Sequence, residues 1–260
     1  MPAAYAHYRF GFRVLPELPP QVQSCIRRNR RMYDLGLHGP DFLFFHNPIA
    51  KDILFQTGNR IHMMPGSDFF THASRQLRLA PSESAASYLY GVLTHFALDS
   101  VCHPFIQECA DSGAVSHMEL ESELDRHLLE LEGKPKPHEV RLTGHIRLDD
   151  PRQAQQIAMF YPGVSPEQVA RSLKHFRFLL DFCTAPKGVR RHLIEKGFFT
   201  RLAKDAAMMT CPNPKCAALL PRLDSLIRQA ESIAPQMAAQ LTAHIRCGKP
   251  FGTEFDRIFG

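Results

Sequence analysis

Two stretches of the 260-residue chain carry ionisable groups at four-residue intervals in line with apolar stripes, the first in otherwise apolar surroundings. In "GVLTHFALDSVCHPF" the groups are His95, Asp99 and His103; in "SHMELESELDRHLLELE" they are His117 and Glu121. A four-residue step brings two side chains onto one face of a helix. The apolar stripe of the first segment runs from Tyr88 and Val92 through positions 95, 99 and 102, so His95 and Asp99 fall on the core-facing side. In the second segment the stripe of Leu124, Leu128 and Leu131 extends back through Glu121 and His117. A buried carboxylate is costly unless compensated. A His–Asp salt bridge explains one such pair. A divalent metal ion explains both, because an i,i+4 pair sets two ligand atoms over one point. Imidazole and carboxylate without thiolate suit zinc or a related divalent ion that keeps an open position.

Further donors lie upstream. His7 sits in "YAHYRF", and Asp41 lies in "HGPDFLFFH" between His38 and His46. His62 follows "TGNR", and His72 in "FFTHAS" rivals it as a ligand. A surface or structural role is the plainer reading for His38, His46 and His72. The apolar "DFLFF" is either simple core, the plainer reading, or a receiver of acyl chains.

These donors need helices to hold them, and the chain reads as all-α. A first helix is expected within 16–33, followed by a loop or short apolar turn over 37–48. Ser82 is placed to cap a helix that stops before Pro104, which turns His103 away from His95 and Asp99. Another helix is expected over 115–132, stopping at Gly133, then an irregular connector over 134–164. "SPEQ" (165–168) starts a helix, without the Glu of a strict capping box, whose stripe is Val169, Leu173, Phe176 and Leu180. Two more helices are expected over 188–208 and 216–245, the last kinked at Pro235. There is no alternating strand pattern and no internal repeat. The expectation is one multi-helix bundle over 1–260, with the donor series in 1–132 and C-terminal helices in 165–260.

Composition narrows the setting. No run of about 18 apolar residues occurs, so no transmembrane segment is expected. The N-terminal segment lacks the pattern of a secretory signal. The seven cysteines are scattered, which reads as free thiols in a reducing, cytoplasmic compartment. "CPNPKC" (211–216) has loose spacing for a metal knuckle and no second pair follows it. Of fourteen histidines, nine lie in the first 127 residues, which puts the chemistry in that half. The net charge is +5, with "RRNRR" at 27–31. That cluster reads as a solvated basic face, or as an attractor for a phosphate-bearing substrate or peripheral contact with an anionic membrane surface. Nucleic acid is not an expected partner, because no recognisable nucleic-acid motif accompanies the cluster.

The ordered series His7, Asp41, His62, His95-xxx-Asp99, His103, His117-xxx-Glu121 resembles the ligand series of the bacterial zinc-dependent phospholipase C family, whose fold is related to that of single-strand-specific zinc nucleases. The resemblance covers roughly residues 5–125. It implies an all-helical fold, bound zinc, and hydrolysis of a phospholipid or other phosphodiester. It implies one ion on Asp41, His62 and His95, with Asp99 bridging to a second, and another ion on His103, His117 and Glu121. Asp41 is then also the candidate general base. The family's N-terminal Trp ligand has no counterpart, since the chain has no Trp. Two or three ions are therefore expected, with His46 or His38 as alternatives to His7. A helical zinc-binding scaffold without turnover, or a nuclease or phosphatase of the same fold, is the alternative reading.

Overall fold

The computed structural model describes residues 3–47, 51–184, 188–196 and 212–260. Among these there is no strand, only an isolated bridge between Pro65 and Ile258. The all-α expectation holds.

The helix α6 (Glu83–Asp111) is the axis of the molecule. It is apolar nearly all round, and such a helix is stable only when neighbours cover every face. Cover comes chiefly from α3 (Arg30–Gly36) and the C-terminal helix α12 (Leu220–Cys247). The helices α1 (Ala4–Val14), α2 (Pro20–Arg28) and α7 (His117–Leu131) add to it. The crossing of α3 on α6 is close enough to require glycine on both sides. A Cβ on Gly36 would lie 2.1 Å from the Tyr88 carbonyl oxygen, and one on Gly91 2.3 Å from that of Tyr33. One contiguous core joins residues from Ala3 to Phe259.

Three sequence expectations need correction. The expected first helix over 16–33 is two helices, α2 and α3, meeting at Asn29, and α1 precedes both. The stripe of α1 (Ala6, His7, Phe10, Val14) is made largely of small or ionisable residues, which hides its period. The axis helix does not stop before Pro104 but runs on to Asp111. A proline inside a helix costs about 3 kcal/mol. Beyond it Ile106 and Cys109 are buried, and side chains of this kind contribute roughly 1.5–3 kcal/mol each, enough to offset it. His103 therefore stays in register with Asp99. Lastly, the connector over 134–164 contains a short helix, α8 (Pro151–Ala158), capped reciprocally by Asp150 and Gln153.

Other boundaries follow their local signals. Asp52 caps α4 (Ile53–His62), which leads to α5 (Gly66–Leu79). Ser116 and Glu119 form a capping box on α7. Gln168 completes with Ser165 the box at the head of α9 (Pro166–Cys183), so the missing Glu is not needed. On α7, Leu124 and Leu128 are buried, whereas Leu131 is 61% exposed and ends the stripe. The helix expected over 188–208 is described only as α10 (Val189–Glu195); its remainder, and Cys211 of "CPNPKC", lie outside the described residues. A one-turn helix, α11 (Pro214–Ala217), precedes α12, which continues through Pro235. The chain then turns at Gly248, and its last residues pack back against α5 and α6, burying Phe255 and Phe259.

The basic cluster is largely neutralised. Arg28 pairs with Glu83, Arg30 with Asp34 and Arg31 with Asp149, while Arg27 bonds the Gln23 amide. This pairing favours a solvated structural face over a free cationic patch.

Candidate metal centre

Asp99 lies at the middle of the donor set. Its Oδ1 is 3.1 Å from His7 Nε2 and 3.6 Å from His103 Nε2, and its Oδ2 is 2.8 Å from His95 Nε2. On one side, His95 Nε2 is 3.8 Å from Asp41 Oδ1, which is 2.9 Å from His62 Nε2. On the other, Glu121 Oε1 is 3.3 Å from His103 Nε2 and 3.2 Å from His117 Nε2. The ring of His7 stacks on that of His95 with centroids 4.2 Å apart. Among the described residues, three groups have their donor atoms within 4.8 Å of one another: His7, His95 and Asp99; Asp41, His62 and His95; His103, His117 and Glu121. All eight donors named from the sequence thus meet in one place.

Each position has a local cause. His95, Asp99 and His103 are successive i,i+4 positions on α6, and His117 and Glu121 are another such pair on α7. His62 closes α4, and Asp41 opens a 3-10 turn (Asp41–Phe45) beneath it. That turn approaches α6 through Gly39, at φ 44°, where a Cβ would lie 2.3 Å from the His95 ring. The helix carrying His7 is tied to α7 by Asp125, whose carboxylate accepts from the backbone N–H groups of Tyr5 (3.1 Å) and Ala6 (2.8 Å). That anchor was missed in the sequence, although Asp125 continues the His117–Glu121 face by one further step of four.

Hydrogen-bond balance tests whether a metal fits these residues. Backbone carbonyls fix the tautomer of three histidines, because a carbonyl oxygen can only accept. His62 donates its Nδ1–H to Gly58 (2.8 Å), His95 to Leu37 (3.2 Å) and His103 to Phe259 (3.1 Å). In the neutral ring, Nε2 then carries a lone pair, and in each case it faces a carboxylate oxygen. Two lone pairs face each other stably only with a cation between them, either a second ring proton or a metal ion. A carbonyl behind the ring and an open Nε2 in front is how proteins orient histidine ligands. His7 adds a buried Nδ1 with no hydrogen-bond partner among the described residues. The donor set fits divalent ions, and it contains no thiolate.

The electrostatics without a metal are consistent with this. Burial would raise Asp99, but His103, His95 and His7 hold it well below the usual carboxylate range. Asp41 is likewise held down against its burial, by His95 and His62. Glu121 is depressed against its own burial, with His117 and His103 among the causes. Burial would lower His103, yet Asp99 and Glu121 push it up to about 9. His95 also rises against its burial, through Asp99 and Asp41. His7 goes the other way, because burial outweighs Asp99.

The centre opens into a cavity of about 440 Å³ lined by Asp41, His62, His103, His117, Phe44 and Met63. Phe44 is the one part of "DFLFF" beside Asp41 that reaches this space; Phe42, Leu43 and Phe45 are buried core. The other histidines lie elsewhere. His72 is half-buried on α5, outside the three donor groups, so His62 and not its rival joins Asp41. His46 Nδ1 pairs with Asp52 (2.6 Å) and His38 with His145 (2.7 Å between Nε2 atoms).

The model of a family described as zinc dependent phospholipase C matches residues 6–157. No curated protein and no solved structure matches the chain.

Proposed function

The chain belongs to the zinc-dependent phospholipase C family, and from that premise we propose that it is a zinc-dependent phosphodiester hydrolase acting on a phospholipid or a related phosphodiester. The observation that carries the reading is the arrangement of His62, His95 and His103. Each has its Nδ1–H held by a backbone carbonyl and its Nε2 turned to a carboxylate.

In this reading Asp41, His62 and His95 would hold one zinc ion, and His103, His117 and Glu121 would hold another. Asp99 lies between these groups, and His7 with Asp99 and His95 supplies the donors for a third. Clustered zinc supplies charge that neutralises the phosphodiester, lowers the pKa of a bound water and stabilises the leaving oxygen. The protein holds Asp41 ionised at neutral pH, because its carboxyl is depressed by His95 and His62. With Oδ1 turned to those rings, Asp41 Oδ2 is the atom to take the proton of the attacking water. The Gly58, Leu37 and Phe259 carbonyls keep three rings in their ligating orientation, so no ring has to turn when substrate binds.

Metal analysis of the purified protein together with a small substrate panel tests the reading. Two or three zinc ions per chain are expected, with turnover of nitrophenyl-phosphorylcholine that chelation removes and zinc restores. Absence of zinc after mild preparation, with no metal-restored turnover, would overturn it. Hydrolysis of single-stranded DNA instead would assign a nuclease. Bound zinc without turnover of any phosphodiester would assign a scaffold.

A further inference from the structure

Asp41 is reached by a short loop, 37–41, that two phenols hold from behind. Tyr161 Oη lies 3.3 Å and Tyr88 Oη 3.5 Å from the Gly39 carbonyl oxygen, and the two hydroxyls are 2.7 Å apart. Tyr88 heads the stripe on α6 that continues to His95 and Asp99. Tyr161 follows α8, beyond the residues matched by the family model. Each tyrosine is 1% exposed and neither lines the cavity over the metal centre. Any part they play in the reaction must therefore pass through the loop.

Burial pushes both phenols above the ordinary tyrosine value, so each keeps its O–H. One of the two protons lies between the hydroxyls. The other goes to the Gly39 carbonyl, whichever phenol carries it. Gly39 is buried, and a buried carbonyl without a donor is costly, so the pair fixes this point of the loop. The opposite side of the loop is closed by His95. A Cβ on Gly39 would lie 2.3 Å from its ring, and its Nδ1–H is given to the Leu37 carbonyl. Tyr161 also meets the residue after Asp41. Its ring packs edge-on against Phe42 with centroids 5.3 Å apart. The carboxylate that faces His62 and His95 thus stands between two points, Gly39 and Phe42, that Tyr161 touches.

We propose that Tyr161, with Tyr88 as its partner, is a positioning residue for Asp41. The phenol pair holds the Gly39 carbonyl, and the Tyr161 ring holds Phe42. Together they set where the Asp41 carboxylate stands toward the metal and toward the attacking water. The assignment rests on the phosphodiesterase reading and deepens it, because the general base then includes a buried support that the donor series does not contain. A reacting group displaced by about 1 Å can cost on the order of 10²-fold in rate, so such a support matters to turnover. A third tyrosine on α6 separates this role from burial of a phenol as such. Tyr90 is also buried and also bonded through its hydroxyl, but to Thr242 Oγ1 of α12 at 2.9 Å and not to the loop.

The test uses the full chain at saturating zinc with nitrophenyl-phosphorylcholine. Tyr161→Phe and Tyr88→Phe each keep the ring and remove one hydroxyl. Each is expected to lower kcat about threefold, because the other phenol still donates to Gly39. The double variant is expected to lower kcat roughly 10- to 100-fold, with KM within about twofold and the zinc count unchanged. In a chelator competition titration it is expected to release one ion about tenfold more readily and the others as the wild type does. Tyr90→Phe is expected to change none of these. In an Asp41→Asn background, adding Tyr88→Phe and Tyr161→Phe is expected to cost less than about a further twofold, since the carboxylate through which the phenols act is gone. Wild-type kcat in the double variant, equal weakening of every ion, or the full further loss on top of Asp41→Asn would overturn the proposal. If the double variant does not melt cooperatively, Tyr161→Phe alone decides. A loss in kcat with KM unchanged upholds the proposal, and wild-type kcat overturns it. If the wild type does not hydrolyse the ester, the phosphodiesterase reading fails and the chelator titration decides the positioning role. Weakening of one ion upholds it, and wild-type affinity for all of them overturns it.

Discussion

Two groups of histidines in this molecule have opposite chemistry, one pair sharing a ring proton and the other set facing carboxylates. His38 and His145 face each other through their Nε2 atoms at 2.7 Å. One ring donates and the other accepts, so the contact is complete with both neutral. Burial pushes His38 well below its usual range with His145 adding to it, and burial with Arg31 and Arg30 brings His145 down to about 3. Among the described residues neither ring pairs with a carboxylate, so the contact asks for no cation. His62, His95 and His103 are buried as well, but backbone carbonyls take their Nδ1 protons and carboxylates face their Nε2 atoms. Burial alone therefore does not make a histidine a ligand. The hydrogen bond behind the ring and the charge in front of it do.

The comparison is broken most severely at Asp99, which touches three imidazoles. Asp99→Asn is expected to remove at least one zinc per chain and to lower kcat about 10³-fold, read by metal analysis and nitrophenyl-ester turnover. Retention of all zinc with full turnover would show that the carboxylate is dispensable. Asp41→Asn is expected to lower kcat by roughly 10²–10⁴, as loss of a general base does, while the site on His103, His117 and Glu121 stays filled. Asp125→Ala releases the N-terminus of α1. Zinc affinity is expected to fall about 10- to 100-fold, as for other residues that support ligands, in a chelator competition titration.

The zinc-free protein sharpens the contrast through pH. His103 stands at about 9 when folded, above its ordinary value of 6.5. A raised histidine contributes stability that is complete below the unfolded value and is lost as pH rises through the folded one. Urea unfolding in a chelator is therefore expected to show stability declining between about pH 6.5 and 9. Saturation with zinc should flatten that decline, because the metal replaces the ring proton. The smallest effect on the metal is expected at the other pair. His145→Ala leaves the buried His38 Nε2 without its partner and is expected to cost about 1–3 kcal/mol of stability. Zinc content should stay unchanged. Loss of zinc in this variant would show that the His38–His145 pair also supports the metal centre.

Much of the centre was legible along the chain because helical periodicity is a local property. His95 with Asp99, and His117 with Glu121, could be read as pairs from their four-residue step alone. What failed to show were contacts made by backbone or by remote residues. Asp125 had a weak signal, one further step on α7. The Phe259 carbonyl had none, since it reaches His103 from 156 residues away. Pro104 misled for a related reason. Its local penalty was visible, but the burial of Ile106 and Cys109 that offsets it belongs to the packed structure.

By itself, then, the sequence determined the helical class, the donor types and their order, and the two faces that present them. Those follow from hydrophobic period and side-chain chemistry, which need no neighbours. The tertiary structure decided that His62 and not His72 joins Asp41, and that His38 pairs with His145. It also decided that His103 stays in line with Asp99, and that the C-terminal turn closes over the centre. Each of these depends on which groups meet across the fold, and a buried imidazole takes its role from the partners on both of its nitrogens.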